Sequence, residues 1–89
     1  MNYDWYNIYN MTEFLATGLV SRTVTVIFDG LGLKEILLTK GYDDGVSVLF
    51  DDVFLKINLN DKNPFEFEDR AVYLDSNNDI WVGIAVDES

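Results

Sequence analysis

Residues 45–59, GVSVLFDDVFLKINL, constrain the chain more than any other stretch, because two apolar runs pivot on the pair Asp51–Asp52. Folded as a hairpin with the two aspartates as its loop, the segment sets Phe50 opposite Val53, Val48 opposite Leu55 and Val46 opposite Ile57. One side is then wholly apolar. A one-residue slip would turn that whole set outward, so the pattern itself selects the register. A core face and an acidic tip are specified together.

The 89 residues are read as a single domain spanning 1–89, with a core that is adequate but not generous: a chain of this size buries roughly 60–65% of the surface its unfolded form exposes. There is no cysteine and no histidine, which removes disulfides, thiolate nucleophiles, imidazole bases and the usual zinc ligands. Sixteen acids stand against six bases, a formal net charge of −10, yet 48% of the residues are hydrophobic, so the composition favours a folded chain over a disordered one. Such a surface repels nucleic acid and anionic membranes and steers toward basic partners. The segment MNYDWYNIYNMTEF has neither a positive n-region nor an unbroken apolar h-region. The expected compartment is the cytoplasm, that of the host cell if the chain is phage-encoded.

Along the chain, Tyr3, Trp5, Tyr6 and Tyr9 make the first nine residues too aromatic for a free tail and are expected to cover the core. Asn10 with Glu13 reads as a capping box, Met11 as the first helical residue and Gly18 as a left-handed stop, giving a helix over 11–17. An alternative starts the helix at Asp4, since Trp5, Ile8, Tyr9, Thr12, Leu15 and Ala16 share one face at helical spacing. Residues 21–28 and 33–39 read as strands around the turn Asp29-Gly30-Leu31-Gly32, with Phe28 opposite Leu33 and Val24 opposite Leu37. Residues 60–64 form a loop, and Phe65-Glu66-Phe67-Glu68 a short edge segment whose acids discourage pairing with another chain. Residues 71–75 and 80–86 form a last hairpin around Ser76-Asn77-Asn78-Asp79, with Tyr73 opposite Val82 and Leu74 opposite Trp81. The expected fold is α+β: a short N-terminal helix packed on a five- or six-stranded, mostly antiparallel sheet or small open barrel. That order is similar to a small Sm-like or SH3-like barrel, in which a short helix precedes a meander of bent strands.

If six strands run up and down, the first, third and fifth turns emerge together and gather Asp29, Asp51, Asp52, Asp75 and Asp79, while the opposite end mixes Lys40, Lys62 and Arg70 with its acids. Aspartate is also a favoured turn residue in its own right. Duplex DNA carries one negative charge per roughly 1.7 Å of axis, and carboxylates on a rigid scaffold can imitate a short length of it. In size, charge and want of catalytic side chains the chain resembles the small acidic inhibitors of phages and mobile elements: antirestriction proteins, uracil-DNA glycosylase inhibitors and anti-CRISPR proteins. The resemblance implies a partner with a basic, nucleic-acid-binding surface and no reaction to catalyse.

Other chemistry fits less well. Asp75-x-Asn77-x-Asp79 matches the opening of a calcium loop, but Ile80 stands where glycine is required and Val86 where a bidentate glutamate belongs. Asp75 to Gly83 also resembles one hairpin of certain β-propeller repeats, a single copy that cannot make a propeller. The pairs Asp51–Asp52 and Glu66–Glu68 lack the desolvating cleft that carboxylate catalysis needs. The sequence therefore predicts no catalytic residue, metal or cofactor. Its predicted contact residues are Asp29, Asp51, Asp52, Asp75, Asp79, Trp5 and Phe67, the aromatics as anchors within an acidic rim. The partner is a basic protein surface, with no direct contact to nucleic acid or membrane, and a free sheet edge could be sealed by a symmetric homodimer. The competing expectation is a structural or adaptor module of a phage or host assembly.

Overall fold

A computed structural model describes residues 2–26, 33–41, 45–50, 52–59 and 63–86, the side chain of Leu33 excepted. Its elements are β1 (Tyr3–Asn10), α1 (Thr12–Thr17), β2 (Ser21–Thr25), β3 (Leu33–Thr39), β4 (Gly45–Phe50), β5 (Val53–Asn58), β6 (Phe65–Phe67), β7 (Arg70–Leu74) and β8 (Asp79–Ala85). They build two four-stranded antiparallel sheets: a central one in the order β2-β3-β4-β5, and a terminal one in the order β1-β8-β7-β6. Strand accounts for 65% and helix for 8% of the described residues, and no barrel closes. The α+β expectation of a helix packed on a sheet or small open barrel is therefore overturned.

The difference arises in the first ten residues. Tyr, Trp and Ile are strong strand formers, and the segment pairs antiparallel with β8 from Tyr3↔Ala85 to Asn10↔Asp79, with an irregularity between Asn7 and Tyr9. It is not the beginning of a longer helix; of its rings Tyr9 packs against the core as expected, with Ile8, whereas Tyr3 and Trp5 pack on one another. α1 is only six residues long; the Asn10 side chain accepts the Thr12 N–H at 3.0 Å, two residues on. The expected capping box does not form: the helix begins at Thr12, Met11 rather than Asn10 is its N-cap, and Met11 makes no side-chain cap bond. Gly18 ends it in the left-handed conformation, as expected, with φ 75°.

The central hairpin has the register its pattern selects: Phe50↔Val53, Val48↔Leu55, Val46↔Ile57. Val46, Val48, Phe50, Leu55 and Ile57 are all buried. The other two hairpins are shifted by one residue from expectation. Val24 pairs with Ile36 rather than Leu37, which turns Ile36 and Leu38 into the core beside Val48 and Val46. Tyr73 pairs with Trp81 and Leu74 with Ile80. One continuous core joins Ile36, Leu38, Val46, Val48, Phe50, Leu55 and Ile57 of the central sheet to Val72, Leu74, Ile80 and Val82 of the terminal sheet. Met11 and Phe14 of the α1 region complete it, fully buried. Among the described residues no helix is long and apolar enough to cross a membrane.

Candidate functional site

Two ends of the molecule can be told apart by their contacts. At one, the Met11 N–H donates to Asn78 O and the Lys40 backbone N–H to Val20 O, so α1 lies with the β7–β8 turn and the end of β3. At the other, the Arg70 guanidinium donates to Phe50 O at 3.4 Å and lies 5.8 Å from the centre of the Phe50 ring, joining the start of β7 to the end of β4. We call these the helix end and the tip end. Asp75 and Asp79 lie at the helix end, and Asp52, in the β4–β5 turn, at the tip end. Asp29 and Asp51 lie outside the described residues. The described aspartates of the expected five therefore do not gather at one end. The reason is β6: this three-residue strand adds one more reversal, at Glu68-Asp69, which sends the β7–β8 turn to the opposite end from Asp52.

Asp75 and Asp79 serve their own turn. Asp75 Oδ1 accepts the backbone N–H groups of Asn77 at 2.8 Å and Asp79 at 2.9 Å, and Oδ2 accepts the Trp81 indole N–H at 2.8 Å. The Asp79 carboxylate accepts the side-chain amides of Asn10 at 2.6 Å and Asn7 at 3.1 Å. These oxygens are directed at N–H donors rather than arranged around a cation. Among the described residues no group of three or more acidic side chains could hold a metal ion.

The same reversal that separates the expected aspartates brings other acids to the tip end. Asp52 stands at φ 67° with its carboxylate 3.8 Å from Lys34 Nζ, and Glu68 at φ 57°. Asp69 lies 3.6 Å from Arg70 Nε. Two phenylalanines are exposed beside these turns, Phe54 at 58% and Phe67 at 45%. Of the predicted contact residues, Asp52 and Phe67 are thus brought together. Glu68 and Asp69 are legible in the two-residue spacing between Phe67 and Arg70 once it is taken as a hairpin, whereas no motif in the sequence marks Phe54.

Trp5 lies elsewhere, on the outer face of the terminal sheet. Its ring is 5.2 Å from that of Tyr3 and 4.9 Å, edge-on, from Tyr73, which stacks on Trp81 at 6.4 Å. This band depends on Gly83, where a Cβ would come within 2.8 Å of Trp5 Cζ3 and 3.0 Å of Tyr3 Cβ. Gly83→Val is accordingly expected to destabilise the protein by about 2–3 kcal/mol through overpacking and to alter tryptophan emission. An unchanged urea midpoint would show that Trp5 does not rest on Gly83. The phenols of Tyr3 and Tyr73 ionise above the ordinary value of 10.0, both first through partial burial, then through the carboxylates of Glu66 and Asp69 for Tyr3 and of Asp75 for Tyr73. A separate depression between β5 and β6 is lined by Lys56, Ile57, Asn58, Asn63, Pro64 and Phe65. No protein family, curated protein or solved structure matches the chain.

Proposed function

We propose that the protein is a small acidic inhibitor that acts without catalysis, covering the basic nucleic-acid-binding surface of a target protein with its tip end. The observation that carries this reading is that two adjacent hairpin turns each hold a carboxylate residue at positive φ, Asp52 and Glu68. Turn chemistry alone favours glycine or asparagine there. Aspartate tolerates the conformation, but the longer glutamate side chain does not readily close the same local bond, so Glu68 is held at a cost of about 1–2 kcal/mol. Carboxylates at such positions project from a rigid scaffold. Phe54 and Phe67 beside them supply aromatic anchors within a charged rim, and the net charge of −10 steers the approach of a cationic surface. On this reading Asp75 and Asp79 shape their turn and Trp5 belongs to the flank of the site.

The test compares the wild-type chain with Asp52→Asn/Glu68→Gln/Asp69→Asn and with a control that removes three charges elsewhere, Glu13→Gln/Glu35→Gln/Asp79→Asn. Each is immobilised and offered nucleic-acid-binding proteins freed of nucleic acid, with duplex DNA as competitor. Expected is capture that DNA displaces, that weakens as salt rises, and that falls at least ten-fold in the first variant only. Equal loss in both variants, or capture indifferent to DNA, would overturn the reading.

A second reading, a structural or adaptor module, is favoured by β1. Among the described residues this eight-residue edge strand has a hydrogen-bonded neighbour on one side only, and it carries a single charge, Asp4. Long uncharged edges accept a further strand. Binding that survives the tip variant but is lost on Tyr6→Pro, with the fold retained, would favour it.

A further inference from the structure

Across the outer face of the terminal sheet one row runs through all four strands: Glu66 faces Ala71, Ala71 faces Gly83, and Gly83 faces Trp5. The two middle positions are small, and the six-membered ring of Trp5 lies over Gly83 with the Tyr3 ring tilted against it. Both rings remain partly exposed, and Glu66 is exposed. Among the described residues of these four strands the single base is Arg70, which turns toward Phe50. The outer face thus presents aromatic rings and carboxylates. Ring faces carry the negative end of the aromatic quadrupole, and the Tyr3 phenol, whose ionisation is raised first by burial, is raised further by the carboxylates of Glu66 and Asp69.

We propose that the corner formed by Tyr3, Trp5 and Glu66 receives an arginine side chain of the basic partner, stacked on the aromatic rings with its guanidinium paired to Glu66. The assignment rests on the inhibitor reading for the identity of the partner, and adds the chemistry by which one of its residues is held. Arginine fits better than lysine because a planar guanidinium stacks on an indole and meets a carboxylate through two parallel N–H groups. Asp69 is already 3.6 Å from Arg70 Nε, so Glu66 is the carboxylate assigned to the incoming cation.

The probe is the capped tripeptide acetyl-Gly-Arg-Gly-amide, titrated into the full chain by NMR, with lysine and citrulline twins. Expected are saturable shifts of the Tyr3 and Trp5 ring signals with the arginine peptide, binding about three-fold weaker with lysine, and none with the neutral citrulline twin. Glu66→Gln should weaken the arginine peptide at least three-fold, and Glu35→Gln, on the other sheet, should leave it unchanged. Equal binding of citrulline, shifts confined to Phe54 and Phe67, or indifference to Glu66→Gln would each overturn the proposal. The two readings fail separately. Loss of target capture in the tip variant with a silent Glu66→Gln removes only the arginine corner, whereas the converse removes only the tip.

Discussion

Phe14→Ala is expected to remove most of the stability of this protein. α1, six residues long, is far below the length at which an isolated helix holds in water, so its conformation depends on docking. Phe14 is 0% exposed and lies within the joint core of the two sheets. Truncating such a ring deletes its transfer energy and leaves a cavity, about 3–5 kcal/mol together. Domains of this size have roughly 4–13 kcal/mol in all. Urea unfolding followed by tryptophan fluorescence should show the midpoint fall by a third or more, whereas Glu13→Gln, on the exposed side of the same helix, should move it little. A loss below about 1 kcal/mol for Phe14→Ala would mean that the helix does not seal the core.

Asp75→Ala should be nearly as damaging, although the residue is polar and lies in a turn. Its carboxylate accepts two backbone N–H groups and the Trp81 indole N–H, and the turn it closes also accepts the Met11 N–H and holds the Asn10 side chain. Removing it leaves three donors without their partner in a partly buried site, for an expected loss of about 2–4 kcal/mol. Asp75→Asn separates the contributions. One amide oxygen can still serve the two backbone groups, but the amide nitrogen cannot accept from the indole, so about half of the loss should return. Equal effects of the two substitutions would show that charge, rather than hydrogen-bond geometry, is what the turn needs.

What the sequence revealed depended on whether a wrong register carried a penalty. In residues 45–59 only one side is wholly apolar, and a two-residue tip leaves no slack, so the pairing from Val46↔Ile57 to Phe50↔Val53 could be read directly. In LKEILLT and in AVYL with IWVGI, apolar side chains point both ways, and a slip of one residue loses nothing visible. The last hairpin in fact closes with the Asp75 N–H on Asp79 O and the Asn78 N–H on Asp75 O, with Asn78 at φ 64°. This is a three-residue loop ending in a left-handed residue, and its odd length displaces Leu74 from Trp81 to Ile80. The acidic site was lost for a related reason. Phe65-Glu66-Phe67 looked like an ornament at an edge, yet as a strand it changes the parity of every turn that follows. The aromatic band was invisible because Tyr3 and Trp5 share a face only when residues 3–10 are extended, and their rings were read as a cover for the core.

The pairing of β1 with β8 also has a consequence in time. Strands β2 to β5 each bond to a neighbour in sequence, so the central sheet can assemble from local contacts as soon as residue 58 is present. β1 must wait for residues 79–85, its partners lying 69 positions away at Asn10↔Asp79 and farther along the rest of the strand. Contacts of such separation are slow to form, because a long loop must close before they contribute. The strand that carries Tyr3, Trp5, Tyr6 and Tyr9 is therefore made before the other described strands yet finds its partner only in β8, and its exposure during synthesis is set by the interval between the two.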